Sequence, residues 1–165
     1  MIDGVEFGRK RGPAPDFKDR TTVVVAGVER GGRVKARTAT DVTGDTLPMH
    51  LNAMVQRSAH LMTDERPAYA RLGRAFAQHD SVNHSAGEYS RGIVTTNSVD
   101  GFFANLKRQF IGTHHAVSKK HLHRYVSESE FKYNSRHMDD GARTQRAIQG
   151  GEGKRLTHKQ QTGRT

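Results

Sequence analysis

In TTNSVDGFFANLKRQF, residues 95–110, an acid at Asp100 and a lysine at Lys107 stand seven positions apart. At about 100° per residue, seven steps return a helix almost to the same angle, so the two share one flank. That flank borders an apolar stripe of Val99, Phe102, Phe103, Leu106 and Phe110, the spacing of one buried helix face. A carboxylate there is held against a core and still meets solvent. Two further acids fall in predicted strands, Asp3 in IDGVEF (2–7) and Asp64 in HLMTDE (60–65). Three carboxylates on separate elements of one sheet are what two-metal phosphoryl transfer needs. Two Mg²⁺ ions about 3.5–4 Å apart must be flanked by hard oxygen ligands, with substrate phosphate supplying the rest. Taken singly, the acids have plainer readings: Asp64 as a strand-end turn or helix cap, Asp100 as a first-turn acid beside the helix dipole.

The elements that must position these residues follow from the hydrophobic pattern. TTVVVAGVE (21–29) is a continuous β-branched run, as in a strand buried on both faces. Gly31-Gly32 fits a two-residue hairpin turn, and RVKARTAT alternates as a half-exposed strand does. With IDGVEF this predicts a three-stranded antiparallel meander. Helices are predicted over 46–57 and 66–77, with Pro48 and Pro67 near their starts, and a short strand over 79–85. The loop AGEYSRGIV leads into the helix bearing Asp100, for which Asn97 is a favoured N-cap. A last helix covers about 118–135, with Leu122, Tyr125, Val126, Ser129 and Tyr133 along one side. This order argues for an α/β chain in which helices pack against a mixed sheet. A core over 1–141 is expected, then a basic tail over 142–165 that is rich in Gly, Gln and Lys and poorly ordered.

Composition narrows the partners. Lys+Arg 27 against Asp+Glu 17 gives a formal net charge of +10 in 165 residues, and the pI is near 10.3. Such a balance suits a polyanion, because neutralising phosphates releases counterions. Without cysteine neither a disulfide nor a Cys-based zinc site can form. The histidines at 114, 115, 121 and 123 lack zinc-ligand spacing. No run approaches the ~18 apolar residues of a membrane span, and the expected location is the cytoplasm, at the nucleoid when bound to DNA.

Taken together and in order, IDGVEFG, VVVAGVERGG, MTDE, VNHSAGEYSRG, TTNSVDGFFANLKR, VSKKHLHRYVSESEFKYNSR and GEGKRLTHKQ resemble the catalytic core of bacterial insertion-sequence transposases of the DDE/D type, in the ISXO-like group. The resemblance implies an RNase H-like fold with a mixed five-stranded sheet and helices on both faces. It also implies DNA strand cleavage and strand transfer dependent on two Mg²⁺ or Mn²⁺ ions. Carried over by position, Asp3, Asp64 and Asp100 would be the acidic triad and metal ligands, with Lys107 accompanying the third. Asp100 stands where the family often has glutamate, and Phe103 where it usually has tryptophan. The N-terminal DNA-recognition region that family members usually carry is expected to be missing, since Met1 lies two residues before Asp3.

Residues expected to approach DNA are Arg9, Lys10 and Arg11 in the basic loop, His84 and Arg91 before the third acid, and Arg108, Lys119, Lys120 and Arg124 beyond it. The expected partners are transposon ends and target DNA, bound by a homo-oligomer, with no membrane. Two alternatives stay open: a catalytically inactive DNA-binding remnant of a transposase, and a related nuclease acting on RNA–DNA hybrids or junctions.

Overall fold

A computed structural model describes residues 2–7, 22–39, 43, 45–115, 117–157 and 160–161, with backbone alone for 2–7 and 22. The chain divides into two compact units, Met1–Asn134 and Ser135–Thr165.

The first unit is built on the expected meander. Strand β1 (Ile2–Phe7) pairs antiparallel with β2 (Thr22–Val28), and β2 with β3 (Val34–Ala39), so Asp3 stands opposite Ala26 and Ala26 opposite Ala36. The β-branched run makes β2 the centre because both of its faces find apolar cover. The β2–β3 turn is centred one residue earlier than expected, on Arg30–Gly31. Gly32 donates to the Glu29 carbonyl at 2.9 Å and Gly31 sits at φ +68°, a region costly for any residue with a Cβ.

On one face of this sheet Val24, Ala26, Val28, Val34 and Ala36 pack against α3 (Asn97–Gln109) and α4 (Leu122–Asn134). The predicted α3 stripe is the contact: Val99, Phe102, Phe103 and Leu106 are all buried. Phe102 meets Tyr133 edge-on at 5.8 Å. The other face, Val23, Val25 and Ala39, is covered by Leu47 and Leu51 of α1 (Leu47–Met54), Leu61 of β4 (His60–Thr63) and Tyr69 of α2 (Pro67–Gly73). At the edge, Asn134 accepts from Val34 N at 2.8 Å and donates to Val34 O at 2.9 Å, while Glu130 accepts from Ala36 N at 3.0 Å. Side chains of α4 thus occupy backbone groups that an edge strand would otherwise offer to another chain.

The single five-stranded mixed sheet of an RNase H-like fold is corrected. Among the described residues the strands form three separate sheets: β1-β2-β3, a parallel pair of β4 with β5 (Gln78–Ser81), and a hairpin of β6 (Ser90–Arg91) with β7 (Val94–Thr95). The α/β class stands, and helices do cover both faces of the three-stranded sheet. The difference lies in pairing. Strand β1 lies alongside β4 without a ladder between them. The four-residue strands β4 and β5 direct their ladder bonds to each other. An apolar pattern fixes which face of a strand is buried, not which neighbour takes its edge.

In the second unit, residues after Gly141 are not without an element. Helix α5 (Asp140–Gly151) is capped by Asp139, whose carboxylate accepts from Ala142 N at 3.0 Å.

Candidate active site

Asp64 follows the last residue of β4, where the chain leaves the core and turns into α2. Its Oδ1 accepts from Arg66 N at 3.0 Å and its Oδ2 lies 3.2 Å from Arg66 Nε. The first contact is the aspartate-initiated turn of the plainer reading; the second is an ion pair. The residue is only 9% exposed. Burial pushes its carboxyl above the usual aspartate range, opposed by Arg66 through its backbone N–H and its charge; Glu65 pushes it further up, and His84 draws it down. Just behind it, Thr63 Oγ1 donates to the Asp64 carbonyl at 2.9 Å and takes a bond from His79 Nε2 at 2.9 Å.

Glu65, the adjacent acid, behaves in the opposite way. Its carboxylate accepts from His84 N at 3.0 Å, Ser85 N at 3.1 Å and Ser85 Oγ at 2.5 Å. These donors, the Ser85 hydroxyl foremost, pull its pKa down to about 2. The effect is to tie a short 3₁₀ turn, His84–Ala86, to the end of β4.

Asp100 lies in the first turn of α3, half-buried, where the helix's positive end favours a carboxylate. Thr96 Oγ1 donates to its Oδ2 at 2.8 Å, and the same hydroxyl lies 2.9 Å from His84 Nε2. Thr96, not Asn97, is the N-cap residue, and its side chain makes no cap bond. A hydroxyl in that place normally accepts a backbone N–H, a bond worth about 1 kcal/mol. Here the hydroxyl faces the carboxylate instead.

The residues named from sequence therefore divide. Asp64, His84 and Asp100 are brought into one polar neighbourhood. Asp3 stands in β1 at a known register, but its side chain lies outside the described residues, as do Arg9, Lys10 and Arg11 altogether. Arg91 is exposed on β6, bonded to the Ser81 carbonyl at 3.0 Å and 3.6 Å from Glu88. Lys107 and Arg108 are exposed at the far end of α3, where Arg108 bonds Asn105 at 2.5 Å. Beyond them a π-helical turn, Phe110–His114, packs on Tyr125 of α4, with ring centroids 6.3 and 4.5 Å away for Phe110 and His114. Lys119 and Lys120, just ahead of α4, are exposed, and Arg124, the neighbour of Tyr125 in α4, is partly buried.

Arg66 and Thr96 are the residues of this neighbourhood that sequence reasoning missed. The Asp-x-Arg-Pro order and a threonine four residues ahead of an acid were the available signals, and both recur widely in ordinary turns and caps.

For a divalent ion the donor types fit. Asp64 and Asp100 offer hard carboxylate oxygens, and an adjacent cation would reverse the cost that burial places on ionised Asp64. Among the described residues no three His, Cys, Asp or Glu side chains gather into a group that could hold an ion. A third donor would have to come from elsewhere, and Asp3 is the acid that the sequence offers.

The chain belongs to the ISXO2-like transposase domain family, whose model matches residues 4–134. The match starts immediately after Asp3 and ends with the last residue of the first unit. It makes this a transposase domain of the insertion-sequence kind. Members of such a family generally use divalent metal ions, and the family implies DNA as a partner. No curated protein and no solved structure matches the chain. Among the described residues, no helix is long and apolar enough to cross a membrane.

Proposed function

We propose that residues 1–141 form the catalytic core of an insertion-sequence transposase that cleaves and joins DNA strands, with Asp3, Asp64 and Asp100 as ligands of two Mg²⁺ or Mn²⁺ ions and 142–165 as a basic tail. What carries this reading is the connection between the second and third acids. Glu65, beside Asp64, grips the turn bearing His84, and His84 meets Asp100 through Thr96.

Divalent ions bound there would supply charge stabilisation for the reacting phosphate. The chain's own residues do the positioning. Asp64 and Asp100, with Asp3, would hold the ions. Lys107, two turns along the same flank as Asp100, neutralises a DNA phosphate. Arg9, Lys10, Arg11, Arg91, Arg108, Lys119, Lys120 and Arg124 extend the contact with the duplex. Water attacks phosphorus at the element's end, and the bond to the 3′ oxygen breaks, leaving a 3′-hydroxyl and a 5′-phosphate. That hydroxyl then attacks a target phosphodiester in line, making one ester bond as another breaks. Two DNA ends must be held together for this, so the working form is a homo-oligomer on DNA, in the cytoplasm.

The Arg66–Asp64 ion pair favours a second reading, a catalytically inactive DNA-binding remnant, because a metal must compete with the guanidinium for Oδ2. One experiment separates the two. The chain is incubated with Mn²⁺ and DNA carrying the inverted repeats that flank its gene. Cleaved 3′ ends and joined products, absent with Asp64→Asn or Asp100→Asn, support the transposase. Binding without either product in wild type supports the remnant.

A further inference from the structure

Three groups that the proposed chemistry leaves unused lie in line between the second and third acids. Glu65 holds both backbone N–H groups at the start of the 3₁₀ turn, and the Ser85 hydroxyl. The His84 ring rests on Tyr89, with centroids 5.2 Å apart. Its Nε2 then meets Thr96 Oγ1, which donates to Asp100 Oδ2.

A proton count fixes the direction of this chain. A threonine hydroxyl carries one proton, and Thr96 gives it to the Asp100 carboxyl oxygen Oδ2. Toward His84 the hydroxyl must therefore accept, so Nε2 carries a proton and donates. The chain runs His84 Nε2–H to Thr96 O–H to Asp100, each bond polarising the next. Asp100 Oδ1 keeps no partner among the described residues, and so remains available to a ligand.

We propose that Glu65, His84 and Thr96 are positioning residues that hold the Asp100 carboxylate in one rotamer relative to Asp64, leaving Oδ1 presented for metal ligation. This rests on the reading of Asp100 as a ligand. Two features set the arrangement apart from ordinary helix capping. Thr96 forgoes its cap bond to face the acid. Glu65, next to Asp64 in sequence, clamps the turn that carries the histidine, so the two acids are tied through side chains as well as backbone. Outer-shell donors of this kind commonly change metal affinity by about 10–100-fold when removed.

The test uses the full chain, with Mn²⁺ as probe, read by electron paramagnetic resonance, and the His84 tautomer read by ¹⁵N NMR. Thermal melts identify which variants fold. Thr96→Val and His84→Leu are expected to weaken Mn²⁺ binding about 10-fold or more. Thr96→Ser keeps the hydroxyl, and His84→Gln keeps an N–H donor; both are expected to bind within about threefold of wild type. In wild type the His84 proton is expected on Nε2, and in Thr96→Val that preference is lost. Wild-type Mn²⁺ affinity in folded Thr96→Val, with Asp100→Asn defective, overturns the relay and leaves the ligand assignment intact. Wild-type affinity in Asp100→Asn overturns the ligand assignment itself, and the relay's role with it. If Thr96→Val and His84→Leu both fail to fold, the serine and glutamine variants decide: weakened binding in them, despite the retained donors, contradicts the relay.

Discussion

The two ends of α3 are organised on opposite principles. At its start, Asp100, Thr96 and His84 are half-buried or buried, and each polar contact is directional. At its finish, Lys107 and Arg108 stand in solvent, followed by a π-helical turn in which Ile111 is 76% exposed. The first arrangement fixes one carboxylate by named donors. The second presents charge without fixing it, which suits a phosphate backbone met at many registers. One helix serves both because Phe102, 2% exposed at its middle, anchors it to the sheet.

Breaking the anchor should erase the contrast altogether. Phe102→Ala is expected to cost about 3–5 kcal/mol in chemical denaturation, as large-to-small changes in a packed core do, and DNA and Mn²⁺ binding fall together. Removing an acid should affect one end alone. Asp64→Asn is expected to abolish strand cleavage while raising the melting temperature in metal-free buffer at neutral pH. The sign follows from burial: Asp64's folded pKa lies above its unfolded value, so ionising it costs stability at neutral pH, and that cost vanishes as pH falls through the folded pKa. A lower melting temperature would mean that Arg66 outweighs burial.

The opposite end is sharpened by Lys107→Ala and Arg108→Ala. Each is expected to weaken DNA binding and to reduce the log–log salt slope by about 1, with Mn²⁺ affinity unchanged. An unchanged slope would remove these side chains from the DNA interface. The smallest effect belongs to Glu65. Its pKa is held near 2 against an ordinary 4.5, so its contribution is present above pH 4.5 and lost as pH falls toward 2. Glu65→Gln is expected to flatten that acid limb in melts recorded from pH 5 to 2; a limb as steep as wild type would assign the acid sensitivity elsewhere.

What sequence made legible here was what periodicity controls. The α3 stripe, the doubly buried β2 and the inner face of α4 follow from spacing of apolar side chains, and all three are where they were expected. Pairing was not legible. Strands β4 and β5 are four residues long, and β6 and β7 two, too short for any pattern to name a partner, and the single five-stranded sheet was the casualty. Helix α5 was hidden by its glycines, although Asp139 at its start is a good cap and Ala, Arg and Gln within it are good helix formers. At the site, the placement of Asp64 at the close of a strand and of Asp100 in the first turn of a helix was legible. Their partners were not, because Thr96 and Arg66 act through orientation, and a threonine before a helix reads first as a cap.

The most direct measurement is a Mn²⁺ titration of wild type, Asp64→Asn, Asp100→Asn and the double variant, followed by electron paramagnetic resonance. If one centre uses both carboxylates, each single change should weaken binding severely and the double little more, a strong departure from additivity. Independent, additive losses, or a single variant that binds as wild type does, would contradict a shared site.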